Sequence, residues 1–288
     1  MGRLTTKLLR PSIAISVGHP TAMVLAHAAV ERLGGAPRHV SPVQLTQMLD
    51  RPDEFLALIY DLAPWNISVP SLLTALRLKH PDLPILLYAP SRPEVSEILD
   101  QCGDLPMLRV AQQTHDSRDR SALESHVSWL FTAIYGARLL HIIERLLPNP
   151  PSSVKRYMQH ALKRFSEAGG GAALTVASLA AEVDVPARTL QHAMEASGLP
   201  SPKVFLDWLT LLFASLSANV TGRTIAAIGR DIGVDSHRMY RIRGRLLPQV
   251  VGSSASGAAQ LFDVTFLAFA EACSISRGTA NILLEKTA

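Results

Sequence analysis

Over the first 120 residues, short apolar runs alternate with longer amphipathic stretches, a pattern that predicts strands and helices in turn. The runs at 12–17, 38–40, 55–60, 84–88 and 107–110 have strand length. Between them, the segments 21–33, 43–49, 69–79 and 94–102 have the length and period of helices. In 69–79, Leu72, Leu73, Leu76 and Leu78 form a broad apolar stripe, as a helix covering a sheet requires. The run from Phe55 to Tyr60 is apolar throughout, which implies burial on both faces. That is the mark of a parallel sheet layered between helices. The expected architecture for residues 1–120 is therefore an α/β, doubly wound, parallel five-stranded sheet.

The pattern then changes. From 122 to 147 there is no proline, and a stripe runs through Val127, Leu130, Ile134, Leu139, Ile142 and Leu146. This predicts a long helix of ~39 Å at about 1.5 Å per residue, ended by Pro148-Asn149-Pro150-Pro151. Its stripe is either core or the pairing surface of a homodimer through residues 122–147. Beyond it, the chain repeats itself at an offset of 49. Leu179 aligns with Ile228, Ala180 with Gly229, Val183 with Ile232, Val185 with Val234 and Leu190 with Met239. That spacing is the core pattern of two short helices meeting at a tight turn, with Ala180 and Gly229 small enough for close approach. Pro186 suits the first turn of the second helix in one copy, and Asp235 suits its N-cap in the other. The expected organisation is 1–120, a linker helix 121–149, an all-α domain with two such units over 150–249, and a helical tail 250–288. The apolar run from Leu261 to Phe269 is expected to pack on the uncharged helix 202–218.

Composition narrows the classes. Apolar residues are 48% and charged residues 18%, enough for packed cores. Two cysteines, Cys102 and Cys273, allow no disulfide framework and no four-cysteine metal module. The early apolar run is too short for a secretory leader, and the best apolar stretch, 129–143, contains Arg138 and His141. A cytoplasmic protein without membrane contact is expected. Residues 1–148 carry 14 Lys+Arg and 14 Asp+Glu, whereas 149–288 carry 14 and 10, so the net charge of +4 lies wholly in the second half. Arg230, Arg238, Arg241, Arg243 and Arg245 cluster there, as a phosphate-binding surface would require.

The run from Leu179 to Gln191, followed by Gly198-Leu199-Pro200-Ser201-Pro202-Lys203-Val204-Phe205-Leu206, resembles the first helix-turn-helix of the AraC/XylS transcription regulators and its link to a central helix. The segment 224–247 resembles the second helix-turn-helix of that family, and 154–165 its opening helix. The resemblance implies a sequence-specific regulator whose two units enter successive major grooves of double-stranded DNA, with RNA polymerase as a further partner. Carried over by position, the reading residues are Ala187, Arg188, Gln191 and His192, then Ser236, His237, Arg238 and Arg241. Arginine pairs with guanine O6 and N7, and glutamine with adenine N6 and N7. Leu190 and Met194 belong to the packed side. Lys203 is the only basic residue of the central helix, and Gly244 stands near a place where the family has a core aromatic. The competing class is a protein-interaction module that reads no bases. An enzyme built on Asp61 is the third, and no motif points to a catalytic residue, metal or cofactor.

The carboxyl ends of the first-half strands, where such sheets place their chemistry, carry Gly18-His19-Pro20, Asp61-Leu62-Ala63-Pro64, Ala89-Pro90-Ser91 and Gln112-Gln113. The arrangement resembles the receiver domain of response regulators, with Asp61 where that family has its phospho-acceptor. Receivers hold magnesium on an acidic pair after the first strand and carry a lysine after the fifth. Gly18, His19, Gln112 and Gln113 supply neither. Phosphoryl transfer to a carboxylate needs such cations, so Asp61 is read as a vestigial acceptor. Acetyl phosphate with magnesium should leave the mass of the protein unchanged. A stoichiometric phosphate adduct abolished by Asp61→Ala would contradict this.

Overall fold

The computed structural model describes residues 11–48, 55–62, 69–80, 83–90, 108–113, 119–147, 149–167, 174–248, 258–275, 278–280 and 282–283. They form two compact units, divided between Ile134 and Tyr135. That boundary falls inside one continuous helix, so the expected linker helix belongs to both units.

The first unit is the expected parallel sheet. Its strands are β1 (Ser12–Ser16), β2 (Ala36–His39), β3 (Ala57–Asp61), β4 (Ile85–Pro90) and β5 (Leu108–Gln113), in the order β2-β1-β3-β4-β5. Every neighbouring pair is parallel, with Ile13 opposite Ala57 and Leu58 opposite Ile85. β3 is buried at all of its positions, as its uninterrupted apolar run implies. β2 is largely exposed and carries Pro37, which an edge strand tolerates because one side needs no hydrogen bonds. Helices α1 (Pro20–Arg32), α2 (Pro42–Met48) and α3 (Val69–Lys79) connect the strands, and the expected helix at 94–102 lies outside the described residues. β4 and β5 run further than their apolar cores suggest. Gln112 and Gln113 are therefore inside β5, paired opposite Ala89 and Pro90, not in a loop beyond it.

Helix α4 (Asp119–Leu146) carries the long stripe, and all six of its apolar positions are buried. They act as core within this chain. At its start the guanidinium of Arg109, on β5, lies 5.9 Å from the ring centroid of Trp129. Burial, and secondarily the charge of Arg109, holds His126 below the ordinary imidazole range.

The second unit is helical: α5 (Ser152–Glu167), α6 (Val176–Glu182), α7 (Ala187–Ala196), α8 (Pro202–Thr221), α9 (Ile225–Asp231), α10 (Ser236–Leu246) and α11 (Ala258–Ala272). Its centre is α8, buried continuously from Phe205 to Ala218. By length and apolarity α8 could cross a membrane, although 78% of that window is buried within the protein. Much of the cover is α11, the expected tail helix. Phe269 is fully buried, with its ring 5.7 Å from Phe205 and 6.0 Å from Trp208. The Tyr157 hydroxyl of α5 donates to the Pro202 carbonyl, tying the start of α8 to the opening helix. Deleting the Phe269 ring should cost about 3–5 kcal/mol, because the cavity would sit between two long helices. Urea unfolding of Phe269→Ala measures it, and a loss under 1 kcal/mol would show that α11 does not secure α8.

Candidate nucleic-acid interface

The two helix pairs, α6–α7 and α9–α10, begin at positions that differ by the 49 residues seen in the sequence. The agreement extends to single bonds. Thr175 Oγ1 accepts from the Ser178 amide, and Thr224 Oγ1 from the Ala227 amide. Each threonine thereby satisfies an N–H that its helix leaves open. Each turn passes through a left-handed residue, Asp184 at φ 52° and Gly233 at φ 77°. The Val185 amide then donates to the Ala180 carbonyl at 3.0 Å, and the Val234 amide to Gly229 at 2.7 Å. Leu190 and Met239, both fully buried, seat the second helix of each pair. A Cβ at Gly229 would lie 2.9 Å from Met239 Cε and 3.1 Å from the Val234 carbonyl oxygen, so close approach requires a small residue there.

With Leu190 and Met194 facing inward on α7, positions three and four apart on the other side form one exposed face. Arg188, Gln191 and His192 share it, with Ala187 exposed at its start. Pro186 sits at the cap position itself, one residue before the first turn where its fixed φ was expected, and gives no side-chain bond. On α10, Met239 and Ile242 face inward. His237 and Arg241 are exposed, whereas Ser236 and Arg238 are only half-exposed on the flanks.

Two residues outside the expected reading set belong to these faces. Glu195 lies among the α7 residues: Gln191 Nε2 donates to its Oε1 at 2.8 Å, and His192 Nδ1 is 3.7 Å from its Oε2. Tyr240 is 57% exposed, next to Arg241. The repeat itself could have found both. At an offset of 49, Arg188 corresponds to His237, Gln191 to Tyr240, His192 to Arg241 and Glu195 to Gly244. Arg238 corresponds to Thr189, which explains its position on the flank. Gly244 has nothing within 4 Å of its Cβ direction, so it marks open surface and not the place of a core aromatic.

No family model, curated protein or solved structure matches the chain.

The charges divide cleanly. Arg188, Arg238 and Arg241 make no ion pair among the described residues. Arg245, counted in the basic cluster, instead pairs with Asp207, a buried carboxylate of α8. Asp235 caps α10 by accepting from the Arg238 amide at 2.8 Å. That bond, chiefly, holds its carboxyl below the usual range, so the cap is fully charged at neutral pH. Arg223 pairs with Asp231 at 2.7 Å behind the turn. On α5, His160 and Arg164 both face Glu182, the last residue of α6, at 3.7 and 3.4 Å.

At the sheet, Asp61 ends β3 and is buried, 6% exposed. Burial and then the Asp61 carboxylate raise the neighbouring Tyr60 phenol. Gly18 and His19 are exposed at the start of α1, where the His19 side chain makes no cap bond. Residues 63–68 and Ser91 lie outside the described residues. Among the described residues no group of three His, Cys, Asp or Glu is placed to hold a metal ion.

The Arg245–Asp207 pair separates a structural arginine from the exposed ones. Arg245→Ala should lower unfolding free energy by about 1–3 kcal/mol, since it leaves a buried carboxylate without its partner while half of Arg245 already faces water. Chemical denaturation checks this; unchanged stability would return Arg245 to the set of exposed contact residues.

Proposed function

We propose that this chain is a sequence-specific DNA-binding transcription regulator. In this reading, α6–α7 and α9–α10 are two helix-turn-helix units of AraC type, joined to a receiver-like domain that is not phosphorylated. The observation that carries the reading is the repeated helix pair. Its second helices turn outward faces whose arginine, glutamine and histidine side chains have the donors that base edges and phosphates accept. Of these, Arg188 and Arg241 lie in the middle of their faces and reach for bases. Arg238, on the flank, contacts phosphate. The expected location is the cytoplasm, and the expected partner is double-stranded DNA.

The rival reading, an interaction module that never reads bases, is favoured by the missing receiver metal ligands, the apolar central helix and the extra tail. The last two have a place within the fold, because α11 covers α8. An enzyme built on Asp61 gains nothing from a carboxylate buried at the end of β3.

Arg188→Ala and Arg241→Ala should each weaken binding to a selected duplex by about 1–3 kcal/mol and relax preference at one base pair. Arg238→Ala should weaken binding to all sequences alike and flatten its dependence on salt. Affinity of each variant for cognate and scrambled duplexes, titrated across salt concentrations, checks both. Wild-type affinity in Arg188→Ala and Arg241→Ala would reject these faces as the reading surface.

A further inference from the structure

The two outward faces match in backbone and differ in chemistry at their C-terminal ends. Position 195 holds a carboxylate on α7, and the corresponding position 244 on α10 holds no side chain. Glu195 does not hang free in solvent. One oxygen accepts the Gln191 amide and the other faces His192, so the carboxylate is held on the exposed face against these two residues. A negative charge on a face that meets a polyanion opposes binding unless the nucleic acid supplies a donor there.

In the major groove, guanine offers acceptors at O6 and N7, and thymine an acceptor at O4. Adenine pairs its amino group with an acceptor at N7. Cytosine offers its N4 amino group and no acceptor, so it is the base that a fixed carboxylate tolerates best. We infer that Glu195 is a specificity determinant that makes the first reading helix require a cytosine amino group, while Gly244 leaves the second helix without that requirement. The inference rests on the duplex-reading proposal and deepens it. Glu195 also ties up one donor of Gln191, so that glutamine is a weaker adenine reader than its residue type suggests. The open surface at Gly244 leaves the backbone of α10 uncovered one turn beyond Tyr240 and Arg241.

The test is selection from a random duplex pool at fixed salt, using the full chain as wild type, Glu195→Gln and Gly244→Glu. Both positions are on exposed or open surface, so the variants should fold, and their circular dichroism should match wild type. Wild type should enrich a motif with one cytosine favoured roughly tenfold or more within one half-site. Glu195→Gln should lose that preference, keep the rest of the motif and bind random duplex several-fold more tightly. Gly244→Glu should gain a cytosine requirement in the other half-site. If Glu195→Gln selects the wild-type motif with the same cytosine preference, the role of Glu195 falls and DNA reading stands. If no protein enriches any motif, the reading and this inference fall together.

Discussion

The close approach of two short helices, allowed by one small residue in each pair, is the constraint on which the second half of this chain depends. Ala180 and Gly229 face the turn that follows them, and each receives the amide of the valine that closes it. A larger side chain at Gly229 would meet both Met239 and the Val234 backbone. Because the second helix is held this closely, Leu190 and Met239 can seat fully, and seating them decides which residues turn outward. The outward faces are thus set by packing, and the side chains on them are free to differ. Arg188, Gln191, His192 and Glu195 occupy one; His237, Tyr240, Arg241 and Gly244 occupy the other.

Much of this was legible in the sequence, for identifiable reasons. The parallel sheet could be read because strands buried on both faces are apolar without interruption, as from Ala57 to Tyr60. The strand ends could not, because Gln112 and Gln113 are polar residues inside a ladder and carry no periodic signal. The repeat could be read because burial recurs at the same spacing in both copies. What the sequence hid were partners distant along the chain. Nothing local shows that Arg245 belongs to Asp207, and a run of arginines looks uniform until a buried carboxylate claims one of them. Arg238, expected among the reading residues, falls in the repeat at the place of Thr189, on the flank.

The sheet and the helical unit meet different physical demands. The first unit needs cover on both faces of its sheet, and at the end of β3 it buries one aspartate, Asp61, beside Tyr60. The second builds its core on a single apolar helix, α8, whose length would suit a bilayer were it not enclosed by α11 and its other neighbours. The tail is therefore a component of the helical core. With α8 enclosed, α7 and α10 turn polar and charged side chains outward.

The central claim is that α7 and α10 enter successive major grooves on one side of a duplex. Methylation interference on a duplex selected by the full chain tests it most directly. The account predicts two clusters of guanines whose N7 methylation blocks binding, centred about one helical turn, roughly 10 base pairs, apart on the same face. Interference confined to one cluster would contradict it, as would complete indifference to methylation.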